Sequence, residues 1–269
     1  MEEGDERKIS CYPSSPSSIL SLLIFISMIV TQTDTGWQII NQQAHGLLAV
    51  QLAMHWQVDK RPVHWFETLI ALTEHDDGQD SWEGRNHLTT AGAPLDFQIL
   101  EYSVEQCKKM IQIGLQKSRW NALMMSMHTS FLYEPKRGKD NALDEFLDQQ
   151  RINNQPKWRK QYKASKAEAE YAYAFLQWCD ALSLILCMDQ VPPEERRLEV
   201  SIGPDGTSYF ILQRKDGSLS IDPWPFGDKE FTVHVETFQL NQLVFADDKE
   251  LYNAIQDAPL TVKEWTFIQ

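Results

Sequence analysis

The sequence predicts a mainly α protein that ends in a small antiparallel β-rich part, so that the chain as a whole is α+β. Two observations support this fold class. Apolar residues recur at helical spacing through most of residues 41–190. After residue 195 they alternate with polar residues at a period of two, and aspartate–glycine turns separate the runs. We therefore predict an extension over residues 1–27, a helical domain with a short N-terminal hairpin over 28–195, and an antiparallel β subdomain over 196–269.

The N-terminal segment needs separate treatment. Residues 1–18 are polar and rich in serine, which is typical of disorder. The apolar run Ile19–Val30 is shorter than the roughly 20 residues that a membrane-spanning helix needs, and acidic residues precede it. A hairpin with its turn at Thr33–Gly36 places the domain start at Met28. Residues 1–27 then form a tail or an over-extended gene start. The competing interpretation is a short membrane anchor, but we expect no stable membrane insertion.

Five helical patterns are predicted in the first two thirds of the chain. They cover residues 42–56, 63–76, 98–115, 119–132 and 164–189. Residues 79–96 contain glycine and proline and are typical of a loop, whereas residues 135–163 are charged and partly irregular. In the β-rich part, turns are predicted at Pro204-Asp205-Gly206 and at Asp216-Gly217.

Composition and charge narrow the class of protein. The chain has 269 residues, of which 42% are hydrophobic, an ordinary globular mixture. Its net charge of −13 disfavours nucleic-acid binding, because phosphates repel an acidic surface. The four cysteines form no Cys-x-x-Cys pair, and three lie in apolar stretches, as reduced cytoplasmic thiols do. We expect a cytoplasmic protein, and its acidity suits the binding of metal cations.

Polar residues within the helical patterns are the candidates for chemistry, because glycine-rich phosphate loops and nucleophile elbows are absent from the sequence. His75 and Asp76 end the second helical pattern, where neighbouring side chains can flank one ion. Imidazole and carboxylate together suit iron, manganese, nickel or zinc. The alternative is a solvated acidic end of a helix.

Three further candidates lie on apolar helices. Asp180 belongs to a helix that is apolar all round, so its carboxylate needs a metal ion, an arginine or a backbone cap as partner. His45 and His128 each lie on an apolar stripe. A lone histidine in such a position is more often a core residue than a ligand, and both interpretations stay open.

The order of these residues resembles the HD superfamily of metal-dependent phosphohydrolases, in which a histidine, a His-Asp doublet and a late aspartate bind metal. The resemblance implies that His45, His75, Asp76 and Asp180 hold a divalent transition metal, as one or two ions. It implies that Asp76 also accepts a hydrogen bond near the attacking water. His128 would be a general acid, an outer-shell group or a ligand of a second ion.

A larger part of the chain, roughly residues 28–267, resembles an uncharacterised, mainly bacterial family known as a domain of unknown function. The matching stretches are Met28-Ile-Val, Asn41-Gln-Gln-Ala-His-Gly, His75-Asp-Asp-Gly, Ser126-Met-His-Thr-Ser-Phe-Leu-Tyr133 and Cys179-Asp-Ala-Leu-Ser-Leu-Ile-Leu-Cys187. This resemblance implies an HD-like helical domain with a β-rich C-terminal part, and it supplies no substrate.

A phosphorylated substrate needs a cationic contact. The basic run over residues 157–166 contains no acidic residue and five basic ones, Lys157, Arg159, Lys160, Lys163 and Lys166. Arg151 precedes this run, and we predict that it binds substrate. The alternative is that these cations belong to a solvated helix face.

Three functional hypotheses follow from these residues. The first is a metal-dependent phosphohydrolase that acts on a small phosphorylated molecule or nucleotide. The second is a binding or sensor module that holds a metal or ligand without turnover. The third is a metal-dependent enzyme of another reaction class, such as an oxygenase. The β-rich part has three open roles: it covers the site, forms a homodimer contact or binds a partner.

Overall fold

The computed structural model describes residues 28–77, 87–99 and 103–269. The extension predicted over residues 1–27 and residues 79–86 of the predicted loop lie outside these ranges. Within the described ranges, none of the helices has both the length and the apolar character needed to span a bilayer.

Eight α-helices are present in the described part of the chain. They are α1 (Gln42–Met54), α2 (Trp65–Glu74), α3 (Val104–Lys117), α4 (Arg119–Tyr133), α5 (Asn141–Asp148), α6 (Gln155–Gln161), α7 (Lys166–Cys187) and α8 (Asp248–Asp257). A π-helix, Gln149–Asn154, joins α5 to α6, and single 3₁₀ turns lie at Val58–Lys60, Phe97–Ile99 and Glu134–Lys136. The segment predicted to be partly irregular, 135–163, is therefore mostly helical.

Serine side chains define the starts of three long helices. Ser103 and Ser118 accept hydrogen bonds from backbone N–H groups in the first turns of α3 and α4. Ser165 forms a reciprocal capping box with Glu168 at the start of α7. These caps fix the points at which α3, α4 and α7 begin, because each satisfies a backbone donor that has no partner within the helix.

Seven strands of the described ranges form one sheet. They are β1 (Met28–Gln32), β2 (Trp37–Asn41), β3 (Leu198–Ile202), β4 (Ser208–Gln213), β5 (Leu219–Asp222), β6 (Glu230–Leu240) and β7 (Leu260–Ile268). Their order across the sheet is β1-β2-β6-β7-β5-β4-β3. Neighbouring strands are antiparallel except β5 and β7, which are parallel.

The prediction of a helical domain followed by a small antiparallel β-rich part is wrong. The described residues are about 49% helical, and their sheet is a substantial, mixed and curled one of seven strands. The N-terminal hairpin belongs to this sheet because β2 pairs with β6, from Trp37 opposite Leu240 to Ile39 opposite Phe238. A two-stranded hairpin is marginal by itself, and its apolar residues are buried only when it joins a larger sheet.

The predicted hairpin turns of the β-rich part are present. Gly206 follows β3 with a φ of +80°, and Gly217 lies between β4 and β5 with a φ of +87°. Both values lie in the left-handed region that glycine adopts without steric cost. The aspartate–glycine pairs of the sequence thus predict the β3–β4 and β4–β5 connections.

The main core lies between the sheet and the helices. Strands β4, β5, β6 and β7 direct apolar side chains toward α1 and α7, where Trp56 and Trp178 are fully buried. A smaller cluster on the other side of the hairpin contains Met28, Ile39 and Leu251, and α8 covers it. Packing against the sheet therefore holds α1 and α7 side by side, with α2 and α4 packed against them.

Candidate metal centre

Four helices bring five of the predicted site residues together. His45 lies in the first turn of α1, His75 and Asp76 directly follow α2, His128 lies in α4, and Asp180 lies in α7. His45, His75, Asp76 and His128 are buried, and the Asp180 side chain is 13% exposed. Residues that are far apart in the chain thus form one polar cluster inside an apolar core.

A glycine permits α1 to approach the end of α2. A Cβ atom built on Gly46 would lie 2.5 Å from the backbone oxygen of Thr73, well inside van der Waals contact. Because Gly46 has no such atom, the first turn of α1 lies directly against the last turn of α2. This approach brings His45, next to Gly46, close to His75.

The donor atoms of four of these residues converge. His75 Nε2 lies 3.1 Å from His45 Nε2 and 3.1 Å from Asp180 Oδ1. His45 Nε2 lies 3.3 Å from Asp180 Oδ1 and 3.4 Å from Asp76 Oδ2. Ligands that bind a transition metal at about 2.0–2.2 Å lie about 3.0–3.5 Å from one another in octahedral or tetrahedral sites. His75 Nε2 is farther from Asp76 Oδ2, at 3.8 Å. The spacing of the His45, His75 and Asp180 donors therefore fits a single metal ion, with Asp76 beside them.

Hydrogen bonds at the other ring nitrogens orient both imidazoles. His45 Nδ1 contacts the backbone oxygen of Gln42, and His75 Nδ1 lies 2.7 Å from the backbone oxygen of Leu72. A carbonyl oxygen only accepts, so Nδ1 carries the proton in each ring and Nε2 of the neutral ring presents a lone pair. Backbone carbonyls fix the histidine ligands of many metal sites in this way.

The centre concentrates negative charge that needs a cation or a proton. Asp180 Oδ1 is buried, and no residue of the described ranges gives it a well-directed hydrogen bond, although two imidazole nitrogens are within 3.3 Å. Burial lowers the pKa of His75, but the Asp180 and Asp76 carboxylates outweigh burial and raise it to about 10. The metal-free centre thus holds a proton on His75, and a metal ion would replace this proton.

The pKa of the Asp180 carboxyl moves in the opposite direction. Burial raises it, but His75 and His45 outweigh burial and hold it well below its usual value. Asp180 is therefore ionised in the metal-free protein and forms an ion pair with protonated His75. An ionised carboxylate is also the form that binds a metal ion.

His128 lies at the edge of the centre. Its Nε2 is 3.9 Å from Asp76 Oδ1, and its Nδ1 is 3.5 Å from the hydroxyl oxygen of Tyr173. Burial and the neighbouring charge of His75 lower the pKa of His128 to about 4, so this ring is neutral. His128 also belongs to a second set of converging donors with His75 and Asp180, within 4.8 Å of one another. A neutral imidazole in this position fits a ligand of a second ion.

Gln42 is part of the centre, although its sequence position does not suggest it. Its side-chain amide donates to Asp76 Oδ2 at 2.9 Å, and its backbone oxygen contacts His45 Nδ1. The side chain is fully buried. The spacing of three residues between Gln42 and His45 at the start of α1 is the one signal that could have indicated this contact.

Arg151, the predicted substrate contact, is not brought into this cluster. It lies in the π-helix, is 54% exposed, and pairs with Glu134 at 2.9 Å. Its contact with a substrate stays a prediction. Two other histidines are also separate from the centre. His55 pairs with Asp228 at 2.7 Å on the surface, and His234 is exposed on β6.

The fold and the cluster define a class of protein in which helices packed on a curled mixed sheet enclose a histidine–aspartate centre. The chain belongs to the family described as "Protein of unknown function (DUF3891)", whose model matches residues 28–242. The family expected from the sequence is thereby confirmed as a domain of unknown function. All residues of the centre, and Arg151, lie within the matched region, whereas α8 and β7 follow it. No curated protein and no solved structure matches the chain.

Proposed function

We propose that this protein is a metal-dependent phosphohydrolase that acts on a small phosphorylated molecule or nucleotide. One observation carries the proposal: two imidazole nitrogens and two carboxylate oxygens converge at ligand spacing in a buried centre. Such a set of nitrogen and oxygen donors suits iron, manganese, nickel or zinc. Two donor sets, His45-His75-Asp76 and His75-His128-Asp180, each lie within 4.8 Å of one another. Because both sets use His75, whose Nδ1 faces the Leu72 carbonyl, a second ion beside His128 would take its further ligands from the carboxylates.

The order of the candidate ligands supports the reaction class. A histidine on one helix, a His-Asp doublet after the next and a late aspartate on a long helix resemble the HD superfamily of phosphohydrolases. In this chain these residues are His45, His75-Asp76 and Asp180. A relationship to that superfamily is part of the proposal, as is the metal itself.

A bound divalent ion supplies Lewis-acid polarisation of a phosphoryl oxygen and lowers the pKa of its water. The residues of the chain hold the ion and handle the proton. His45, His75 and Asp180 are the ligands, and Asp76 is both a ligand and a hydrogen-bond acceptor. Asp76 Oδ1 and His128 Nε2 are 3.9 Å apart, too far to share one proton directly, so each acts separately as a candidate acceptor of a proton from water or donor to the leaving group.

The enclosure of the centre favours a second function, a binding module that holds the ion without turnover. His45 is fully buried and His75 is 1% exposed, whereas the side chains of Asp76 and Asp180 are 9% and 13% exposed. A substrate therefore has to approach from the aspartate side. A module without turnover needs no such approach.

The first test is metal content, measured by mass spectrometry on the purified full chain and on a His75→Ala, Asp76→Ala variant. The wild type should contain about one or two equivalents of a transition metal, and the variant should lose them. His55→Ala is the matched control, because His55 pairs with an aspartate outside the centre. Metal absent from the wild type even after reconstitution would overturn the proposal.

Turnover separates the two functions. The metal-loaded wild type is incubated with a panel of phosphate esters and nucleotides, and released phosphate is measured. Hydrolysis by the wild type and by His55→Ala, with loss in His75→Ala, Asp76→Ala, supports the phosphohydrolase. Stable metal binding without hydrolysis of any ester supports the binding module, and oxygen consumption by an iron-loaded protein supports the oxygenase class.

A further inference from the structure

A cleft of ≈ 160 Å³ lies outside the metal centre, between α4, α6, the start of α7 and the π-helix. Its walls include three cationic residues, Arg151, Arg159 and Lys166, and one acidic residue, Glu170. Buried apolar side chains of α4 and α7, among them Leu123, form part of the wall. The cleft is therefore basic, in a chain whose net charge is −13.

The cations of the cleft are only partly neutralised. Arg159 Nη1 donates to the backbone oxygen of Ala164 at 3.0 Å, and in the described ranges no carboxylate pairs with its guanidinium. Lys166 pairs with Glu170 at 3.4 Å, but both side chains are more than half exposed. Exposed ion pairs contribute about 0–1 kcal/mol, so a small anion can compete for these cations.

The cleft is preformed. The side-chain amide of Gln155, at the start of α6, donates to Ser126 and Ser130 of α4 at 3.0 Å. Trp158 of α6 is buried in the main core. These contacts fix α6 against α4, so that binding an anion requires little ordering of the backbone.

The cleft is a separate site. On α7, Ala169 lines the cleft and Asp180 belongs to the centre, and eleven residues of α-helix span about 16 Å. A phosphate beside Ala169 is therefore too far from Asp180 to share an ion with it, whereas Met127, which also lines the cleft, directly precedes His128. The three cations of the cleft and the distance between Ala169 and Asp180 along α7 indicate a site with its own ligand.

We infer that this cleft binds the phosphoryl group of a small phosphorylated molecule, with Arg159 and Lys166 as its principal contacts. A guanidinium offers a fork of N–H donors that matches phosphate oxygens, and an ammonium adds a point charge. Arg151 lies at the rim, with its charge shared with Glu134. The inference does not depend on a metal in the centre.

The test is calorimetric titration of the full chain, after treatment with chelator, with inorganic phosphate and with pyrophosphate. The cleft variant is Arg159→Gln, Lys166→Gln. The control is Lys157→Gln, Lys160→Gln, which removes the same charge from the exposed face of α6. The wild type should bind one anion, the cleft variant should bind it about tenfold more weakly or worse, and the control should stay within about twofold.

Two results would overturn the inference. One is equal weakening in the cleft and control variants, which would indicate a general effect of surface charge. The other is an absence of saturable binding by the wild type. If Arg159→Gln unfolds the chain, Lys166→Gln alone takes its place, with weaker binding again expected. Because the titration is made without metal, failure of the proposed hydrolase leaves this outcome unchanged.

Discussion

Gln42 contacts two of the candidate ligands, Asp76 and His45. Its side-chain amide holds Asp76 Oδ2 at 2.9 Å, and its backbone oxygen fixes the ring of His45. The amide hydrogen bond keeps the carboxylate of Asp76 from rotating within the centre. Gln42 is thus a positioning residue, because it acts through Asp76 and His45.

We expect Gln42→Ala to weaken metal binding by about tenfold to a hundredfold, as loss of outer-shell partners does elsewhere. The variant keeps the backbone contact to His45, so the loss of metal affinity measures the contribution of the side-chain amide alone. Affinity is measured by competition with a chromogenic chelator. Gln43→Ala is the control, because Gln43 is the exposed neighbour on the same helix. Equal metal affinities in the two variants would show that Gln42 does not position the ligands of the centre.

The sequence indicates the centre because three of its residues interrupt apolar helical patterns and two more end one. His45, Asp180 and His128 are polar groups on apolar faces, and their burial makes a partner necessary. Gln42 is missed because a polar residue at the start of a helix is explained by its position. Arg151 is predicted from its charge and is not brought into the centre. A basic run in the sequence indicates a positively charged surface, but it does not indicate the direction in which each side chain points.

The contact between α1 and α2 depends on Gly46. The backbones approach so closely that a methyl group at this position would overlap the oxygen of Thr73. Overpacking of this kind displaces backbone, because an oxygen in a helix cannot rotate away. The same displacement would separate His45 from His75.

We expect Gly46→Ala to destabilise the chain by about 1–3 kcal/mol, although alanine is the better helix former. Metal content should fall with it. Denaturant unfolding measures the free energy of unfolding, and mass spectrometry measures the metal. Leu47→Ala on the exposed face of α1 is the control, with a change of about 0.5 kcal/mol or less. A stabilised Gly46→Ala variant would contradict the packing argument.

The helices that the sequence predicts best are those with long apolar stripes, such as α1, α4 and α7. The segment 135–163 is predicted less well because α5, the π-helix and α6 are short and carry many charges. Helix α8 is missed although Asp247 and Glu250 stand three residues apart at its start, a spacing typical of an N-terminal cap. That signal was available in the sequence.

The strand order is the part of the fold that the sequence does not predict. The alternation near residues 196–235 predicts hairpins, and these connections are local. By contrast, β2 pairs with β6 through Gln38 and Gln239, and β5 pairs with β7 in parallel through Leu219 and Phe267. Such pairings join distant residues, and no single run of alternation indicates them.

The hairpin β1–β2 should be necessary for the stability of the whole molecule. Its residues Met28, Ile29, Ile39 and Ile40 are all at most 1% exposed. We expect a chain that begins at Gln42 to be unfolded or aggregated, because it loses these residues and leaves the edge of β6 uncovered. A chain that begins at Met28 is the control, and it should keep the thermal midpoint of the full chain. Both are measured by thermal unfolding and size-exclusion chromatography. Cooperative unfolding of the shorter chain at that midpoint would contradict the expectation.

Strand β7 is the last of the seven in chain order, yet it lies in the middle of the sheet, between β6 and β5. During translation, the ribosome therefore releases β1-β2-β6 and β3-β4-β5 before β7. Until β7 is released, no strand pairing joins these two groups. Until that moment both inner edges are open to pairing with another nascent chain. The time between synthesis of β6 and synthesis of β7 is thus the interval in which a holding chaperone would protect this protein most.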